Sequence, residues 1–150
     1  MKNLALILII ALISHCGFTP VYQDKENVNF KITIQNINGD KSINNLLNRK
    51  LKRYTVIDVD KNFVINANTS YSKTVLSKDT TGRATDLKLS TNIDFIIKLG
   101  EKIQKFSFEE SLNIDNSTDF YEQNNYENNI KNNFINTIVE KLIVNLKQIK

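Results

Sequence analysis

The residue whose type and position most constrain the chemistry of this chain is Cys16, its only cysteine. Lys2 gives a positive start, Leu4 to Ile13 is unbroken and apolar, and Ile13-Ser14-His15-Cys16-Gly17 follows at once. A charged start, a short apolar core and a cleavage region are the parts of a secretory signal. The apolar run is about half the ~20 residues needed to span a bilayer, so it predicts a processed segment, not a permanent transmembrane helix. The chemistry open to a cysteine there is lipid attachment. A peptidase cuts before it, its sulfur carries diacylglycerol, and an acyl chain such as palmitate caps its amine. Each buried methylene adds about 0.8 kcal/mol, so several chains anchor firmly. His15 stands where such signals usually carry Gly, Ala or Ser; the competing reading is an ordinary cleaved signal with an incidental cysteine.

Read as a bacterial lipoprotein, the chain divides into a signal at residues 1–15 and one domain at residues 16–150. Gly17 replaces the Asp that commonly retains lipoproteins in the inner membrane, so the expected address is the outer membrane, facing the periplasm. The only histidine, His15, would leave with the signal, and the only cysteine would become the anchor. Zinc sites are built mainly from Cys and His, and nucleophilic triads need an imidazole. No metal and no cofactor are therefore expected. Gly39, Gly82 and Gly100 are isolated, so no phosphate-cradling glycine loop can be drawn. The formal charge of +4 falls to +3 without Lys2, too mild a bias to indicate nucleic acid.

Carboxylates are what an enzyme would have left. Glu109, Glu110, Asp94 and Asp119 are the candidates for a hydrolase acting on cell-wall sugar. Such an enzyme needs two carboxyls at a defined separation, and adjacent Glu109 and Glu110 should point to opposite faces of a strand. The expectation is a protein that is not an enzyme. Two basic groups could meet lipid phosphates: Lys73, Lys78, Arg83 and Lys88 around a hairpin, and Arg49, Lys50, Lys52 and Arg53 on a helix. The blander reading of both is a solvated charged surface.

The elements that must position these groups follow from periodicity. Phe30, Ile32 and Ile34 alternate with polar residues as a half-buried strand. Asn38-Gly39-Asp40 is a turn, Asp40 or Ser42 can cap, and a helix should run from about Lys41 to Tyr54 with Ile43, Leu47, Leu51 and Tyr54 on one face. Phe63 to Tyr71 alternates, with Val75-Leu76 as an extension; Asp79 to Arg83 turns; Leu87 to Leu99 alternates again. Gly100-Glu101-Lys102 turns into a last strand carrying Phe106, Phe108, Leu112 and Ile114. Tyr126, Ile130, Phe134, Ile138, Leu142 and Leu146 recur every fourth residue in a final amphipathic helix, flanked by Ile135, Val139, Ile143 and Ile149. Strand, helix, three strands, helix predicts an α+β fold: two helices packed on one face of a four-stranded, mostly antiparallel sheet. The paired asparagines of the last helix sit between apolar residues that keep helical spacing, which argues against low complexity.

Cys16-Gly17-Phe18-Thr19-Pro20-Val21-Tyr22 resembles the Cys-Gly-Phe-x-Pro-Leu-Tyr opening of the lipopolysaccharide-assembly lipoproteins, the LptE family. The element order is similar as well, and Gly82-Arg83-Ala84 resembles the arginine turn before its third strand. Pro20, the only proline, should hold a short extended segment after the anchor. The resemblance implies a non-catalytic lipoprotein that plugs and supports the outer-membrane β-barrel LptD and helps deliver lipopolysaccharide to the outer leaflet. Its partners would be that barrel, lipopolysaccharide and the membrane through the N-terminal lipid. Lys73, Lys78, Arg83 and Lys88 are the expected lipopolysaccharide contacts, and Cys16 the anchor. The competing assignment is an auxiliary lipoprotein of a lipid-transporting ABC system.

Overall fold

The structure, a computed structural model, describes residues 28–55 and 59–149. The expected signal, the anchor at Cys16 and the Pro20 segment lie outside the described residues. Along the described chain the elements are β1 (Lys31–Gly39), α1 (Lys41–Leu51), a 3-10 turn (Lys52–Tyr54), β2 (Asn62–Lys78), β3 (Ala84–Leu99), β4 (Lys102–Asp115) and α2 (Phe120–Gln148). The strands form one open sheet in the order β1-β2-β3-β4. β1 runs parallel to β2, while β2–β3 and β3–β4 are antiparallel hairpins. The expected α+β architecture of two helices and a four-stranded mixed sheet is the one observed.

Parallel pairing of β1 and β2 requires a crossover, and α1 supplies it. Gly39 makes the reversal possible. Its φ is 104°, and a Cβ there would lie 1.9 Å from the Thr69 carbonyl oxygen, so no other residue fits beside β2. Asp40 then caps α1, its Oδ1 accepting from the Ile43 N–H at 2.9 Å. The α-helix ends at Leu51 and tightens into the 3-10 turn, so Tyr54 closes the helix as a half-buried residue packed against the core and does not extend its α-helical face.

Alternation decides which face of the sheet is covered. Phe63, Ile65 and Ala67 of β2 meet Ile93, Phe95 and Ile97 of β3 on the helix side, under Leu47 and Leu51 of α1 and Ile135, Ile138, Leu142 and Leu146 of α2. Phe30 meets Phe63 edge to face, with ring centroids 5.2 Å apart. A second, smaller cluster (Leu87, Leu89, Ile114, Ile130 and Phe134) lies toward the other end of the β2–β3 hairpin.

Two residues depart from the expected apolar stripes. Tyr126 is 49% exposed, and Gln123 and Glu127 are buried in its stead. Successive positions four apart advance 400° around a helix, drifting by about 40° each step. A strict every-fourth stripe therefore rotates off the sheet, and Tyr126 lies at its far end. Leu112 is 43% exposed because β4 is an edge strand, with α2 covering only part of it.

Candidate functional site

The long β2–β3 hairpin carries the expected basic set beyond the main core. Its turn is held by Asp79, whose Oδ1 accepts from the Thr81 N–H (2.8 Å), the Thr81 hydroxyl (2.6 Å) and the Arg83 N–H (2.9 Å). Gly82, at φ 85°, closes the loop with its N–H on the Asp79 carbonyl oxygen at 3.0 Å. This ordered turn presents the exposed Arg83 side chain, with exposed Lys78 at the end of β2 and half-buried Lys88 on the outer face of β3.

Two carboxylates temper that positive charge. The Thr81 hydroxyl and the Arg83 N–H hold the Asp79 carboxyl below the usual range. Asp86 is likewise lowered, by hydrogen bonds from the Ser77 and Thr85 hydroxyls. Both are ionised at neutral pH, leaving Lys78, Arg83 and Lys88 with a surplus of only one positive charge at the tip.

Lys73, the fourth expected contact, has a different partner. Its parity in β2 is that of Phe63 and Ile65, so it points toward the helices, where it forms an ion pair with Glu127 of α2. The Glu127 side chain is 10% exposed and that of Lys73 40%. Gln123 Nε2 donates to the same Glu127 oxygen at 2.9 Å, while Gln123 Oε1 accepts the Ser117 N–H at 2.9 Å. Burial alone would raise the Glu127 pKa, but hydrogen bonds from Lys73 and Gln123 and the charges of Lys73 and Lys131 outweigh it and hold the carboxyl low. Lys131 stands 4.3 Å over the Tyr71 ring. Burial, together with Glu127 and Asp40, pushes the Tyr71 hydroxyl up to about 12. The buried hydroxyls of Tyr71 and Thr91, opposite each other in register, have no hydrogen-bond partner among the described residues. An inward-facing lysine within an apolar alternation was the available sequence signal for this junction; its partners Gln123 and Glu127 were not read from the stripe.

Among the described residues, no helix covers the opposite face of the sheet. Asn68, Ser70, Ser72 and Thr74 of β2 run beside Ser90, Asn92 and Asp94 of β3 and Ser107, Glu109, Ser111 and Asn113 of β4. Short polar side chains link across it: Asn66 donates to Gln35 (3.0 Å), Ser90 to Glu109 (3.0 Å) and Ser107 to Asn92 (3.3 Å). Apolar exposure on this face is confined to the ends, at Ile96 and Ile103 on one side and Leu76 on the other. Its middle is a flat, hydrogen-bonding surface.

Two hollows open at the helices. One of about 600 Å³ lies between the end of β4 and the start of α2, lined by Asp115, Ser117, Tyr121, Glu122, Gln123 and Tyr126. The other, about 480 Å³, lies between α1 and α2 and includes Arg49, Asn128 and Asn132. Arg53 of the same basic group sits 5.1 Å over the Tyr54 ring. The carboxylates of the hydrolase reading are dispersed. Glu109 faces the polar side and Ser90, Glu110 faces α2 and Lys141 at 2.5 Å, and Asp119 caps α2 through the Tyr121 and Glu122 N–H groups. Asp94 stands exposed on the polar face opposite Ser107. Among the described residues no group of three or more His, Cys, Asp or Glu could hold a metal ion, and no helix is long and apolar enough to cross a membrane.

The fold these elements define is similar to that of a solved bacterial lipoprotein structure. Rare lipoprotein B from Shewanella oneidensis superposes with a TM-score of 0.56 at 17% identity, covering 79% of this chain and 98% of that one. A minor lipoprotein from Acinetobacter baumannii gives 0.49 at 12% identity, over 73% of this chain and 93% of that one. A lipoprotein from Caulobacter crescentus gives 0.49 at 12% identity, over 76% and 90%. No protein-family model matches the chain, and no curated protein matches it in sequence.

Proposed function

We propose that this chain is a lipid-anchored lipoprotein of the outer membrane, facing the periplasm, that serves as a non-catalytic partner of a large β-barrel in lipopolysaccharide assembly, in the manner of LptE with LptD. The observation that carries the reading is the polar face of the sheet, which the other described residues leave uncovered. A long sheet face rich in Asn, Ser and Thr, with apolar residues only at its ends, matches the polar lumen of a wide transmembrane barrel. The lipid at Cys16 would hold the domain at the membrane in which the barrel stands. The opening motif from Cys16 to Tyr22 and the shared fold support the same assignment.

In this reading the hairpin tip meets lipid phosphate through Arg83 and Lys78, with Lys88 behind them, while Lys73 keeps its structural partner Glu127. Such contacts are exposed, contribute about 1 kcal/mol or less each, and weaken with salt.

Affinity purification from bacterial membranes tests the reading. A co-purifying outer-membrane β-barrel is the expected result. Recovery of an inner-membrane ABC transporter complex instead would replace it with the auxiliary-lipoprotein assignment. Intact mass spectrometry checks the anchor: the expected mature chain begins at a diacylated, N-acylated Cys16. A retained Met1 or an unmodified thiol would remove it.

A further inference from the structure

We propose that the edge of β4, which no other described strand pairs, joins the same edge of a second copy of this chain, antiparallel, about a two-fold axis through Ser107. The two edges of the sheet are built differently. β1 has nine residues and a register break between Ile34 and Asn36. Such a bulge twists an edge away from new partners. β4 has fourteen residues, follows β3 from Lys102 to Asp115 without any shift, and contains no proline or glycine. It presents an uninterrupted row of outward N–H and C=O groups, which is a template for another strand.

The side chains along β4 select its own copy. An axis through Ser107 sets Lys105 opposite Glu109 of the second copy on the polar face, and Phe106 opposite Phe108 of the second copy on the helix face. Lys105 and Glu109 are both exposed, and neither belongs to the Lys73–Glu127 or Lys141–Glu110 ion pair of the described residues. Phe106 and Phe108 are half-buried at the rim of the core. Farther out, Gln104 faces the second copy's Glu110, whose charge Lys141 already meets. No like charges are opposed between Glu101 and Asn113. Centring the pair on Lys105 or on Glu109 would set that charge against itself, whereas the Ser107 register places opposite charges on both sides of the axis and stacks the phenylalanines. The product is a continuous eight-stranded sheet with one polar face and four helices on the other. It belongs to the chain when no other protein encloses it, and does not depend on the barrel reading.

Disulfide trapping of the full chain, purified from membranes in detergent and separated from any co-purifying β-barrel, tests the pairing and its register. Ser107→Cys should form a disulfide-linked dimer under mild oxidation, above the background set by the parent chain, whose sole cysteine is Cys16. Ser111→Cys should not, because eight residue steps at ~3.3 Å would separate its two sulfurs by about 26 Å. On the Ser107→Cys background, Lys105→Glu and Glu109→Lys should each lower the dimer yield about fivefold, the size expected from reversing two exposed ion pairs. The double exchange should restore it. Equal trapping at 107 and 111, no dimer at 107, or single exchanges without effect would each overturn the proposal. Circular dichroism on every variant confirms that these exposed substitutions leave the fold intact.

Discussion

The same three long strands build two unlike regions. Toward β1 and α1, β2 and β3 contribute Phe63, Ile65, Ile93, Phe95 and Ile97 to a core covered by both helices. Toward the β2–β3 turn, only α2 is overhead, and the core shrinks to Leu87, Leu89, Ile114, Ile130 and Phe134. Between them lies a polar row: Tyr71, Thr91 and Glu110 stand side by side across three strands, flanked by Lys73 and its partner Glu127. The difference teaches a division of labour. The first region fixes the fold; the second projects a hairpin with less apolar burial behind it, where charge and polar pairing do more of the holding.

Matched substitutions should expose that division. Leu142 and Leu89 are both fully buried, the first in the large cluster and the second in the small one. Leu142→Ala is expected to cost about 3–5 kcal/mol, and Leu89→Ala about 2–3, because a cavity near a polar boundary can collapse or admit water. Urea denaturation followed by circular dichroism reads both. Equal costs would mean that the polar row does not divide the core.

The first region was almost wholly legible in the sequence, and the second only in outline. Alternation identified Phe63 to Tyr71 and Leu87 to Leu99 as strands because a half-covered sheet repeats every two residues. The turns at Gly39, Gly82 and Gly100 were legible as turn signals, and the structure gives all three glycines a positive φ. Periodicity registers apolar burial, however, and is blind to polar burial. Gln123 and Glu127 are buried because Lys73 and the Ser117 N–H receive them, a condition that spans β2, the β4–α2 connection and α2. For the same reason the basic set separated on folding: sequence proximity grouped Lys73 with Lys78, Arg83 and Lys88, and strand parity sent it to the other face from Lys88.

Glu127→Gln sharpens the comparison from the polar side. The variant keeps the shape but removes the charge facing Lys73, and is expected to cost about 1–2 kcal/mol at neutral pH, since half-exposed Lys73 recovers part of its hydration. The Glu127 pKa is depressed in the folded state. Its contribution is therefore fully present above the unfolded glutamate value of about 4.3 and is lost as pH falls through the folded value. Stability profiles of parent and variant should converge below that window and separate above it. A constant offset at every pH would show that the loss is one of packing.

Tyr71→Phe should have a smaller and opposite effect. Its buried hydroxyl has no hydrogen-bond partner among the described residues, so removing it is expected to be neutral or to stabilise by up to about 1 kcal/mol. With the folded pKa raised to about 12, the stability that neutral Tyr71 contributes is present below the unfolded value of about 10 and is lost as pH rises from there toward 12. The variant should lack that part of the alkaline loss. A destabilised Tyr71→Phe would reveal that the hydroxyl is held by water.

The hairpin tip should be the least sensitive part of the fold and the most sensitive part of its proposed lipid contact. Lys78 and Arg83 are exposed, and the turn between them is held by Asp79 through the Thr81 hydroxyl and two N–H groups, so neither basic side chain is needed to form it. Replacing both by Asp is expected to leave stability within about 0.5 kcal/mol, as surface substitutions generally do. Lipopolysaccharide binding, measured by co-elution or fluorescence at low salt, should fall, and the difference from the parent should shrink as salt screens the parent's own contacts. The small surplus of positive charge at the tip limits the effect, because Asp79 and Asp86 already offset two of its cations. Unchanged binding by a fully folded variant would make the tip a solvated turn and move any lipid contact elsewhere on the domain.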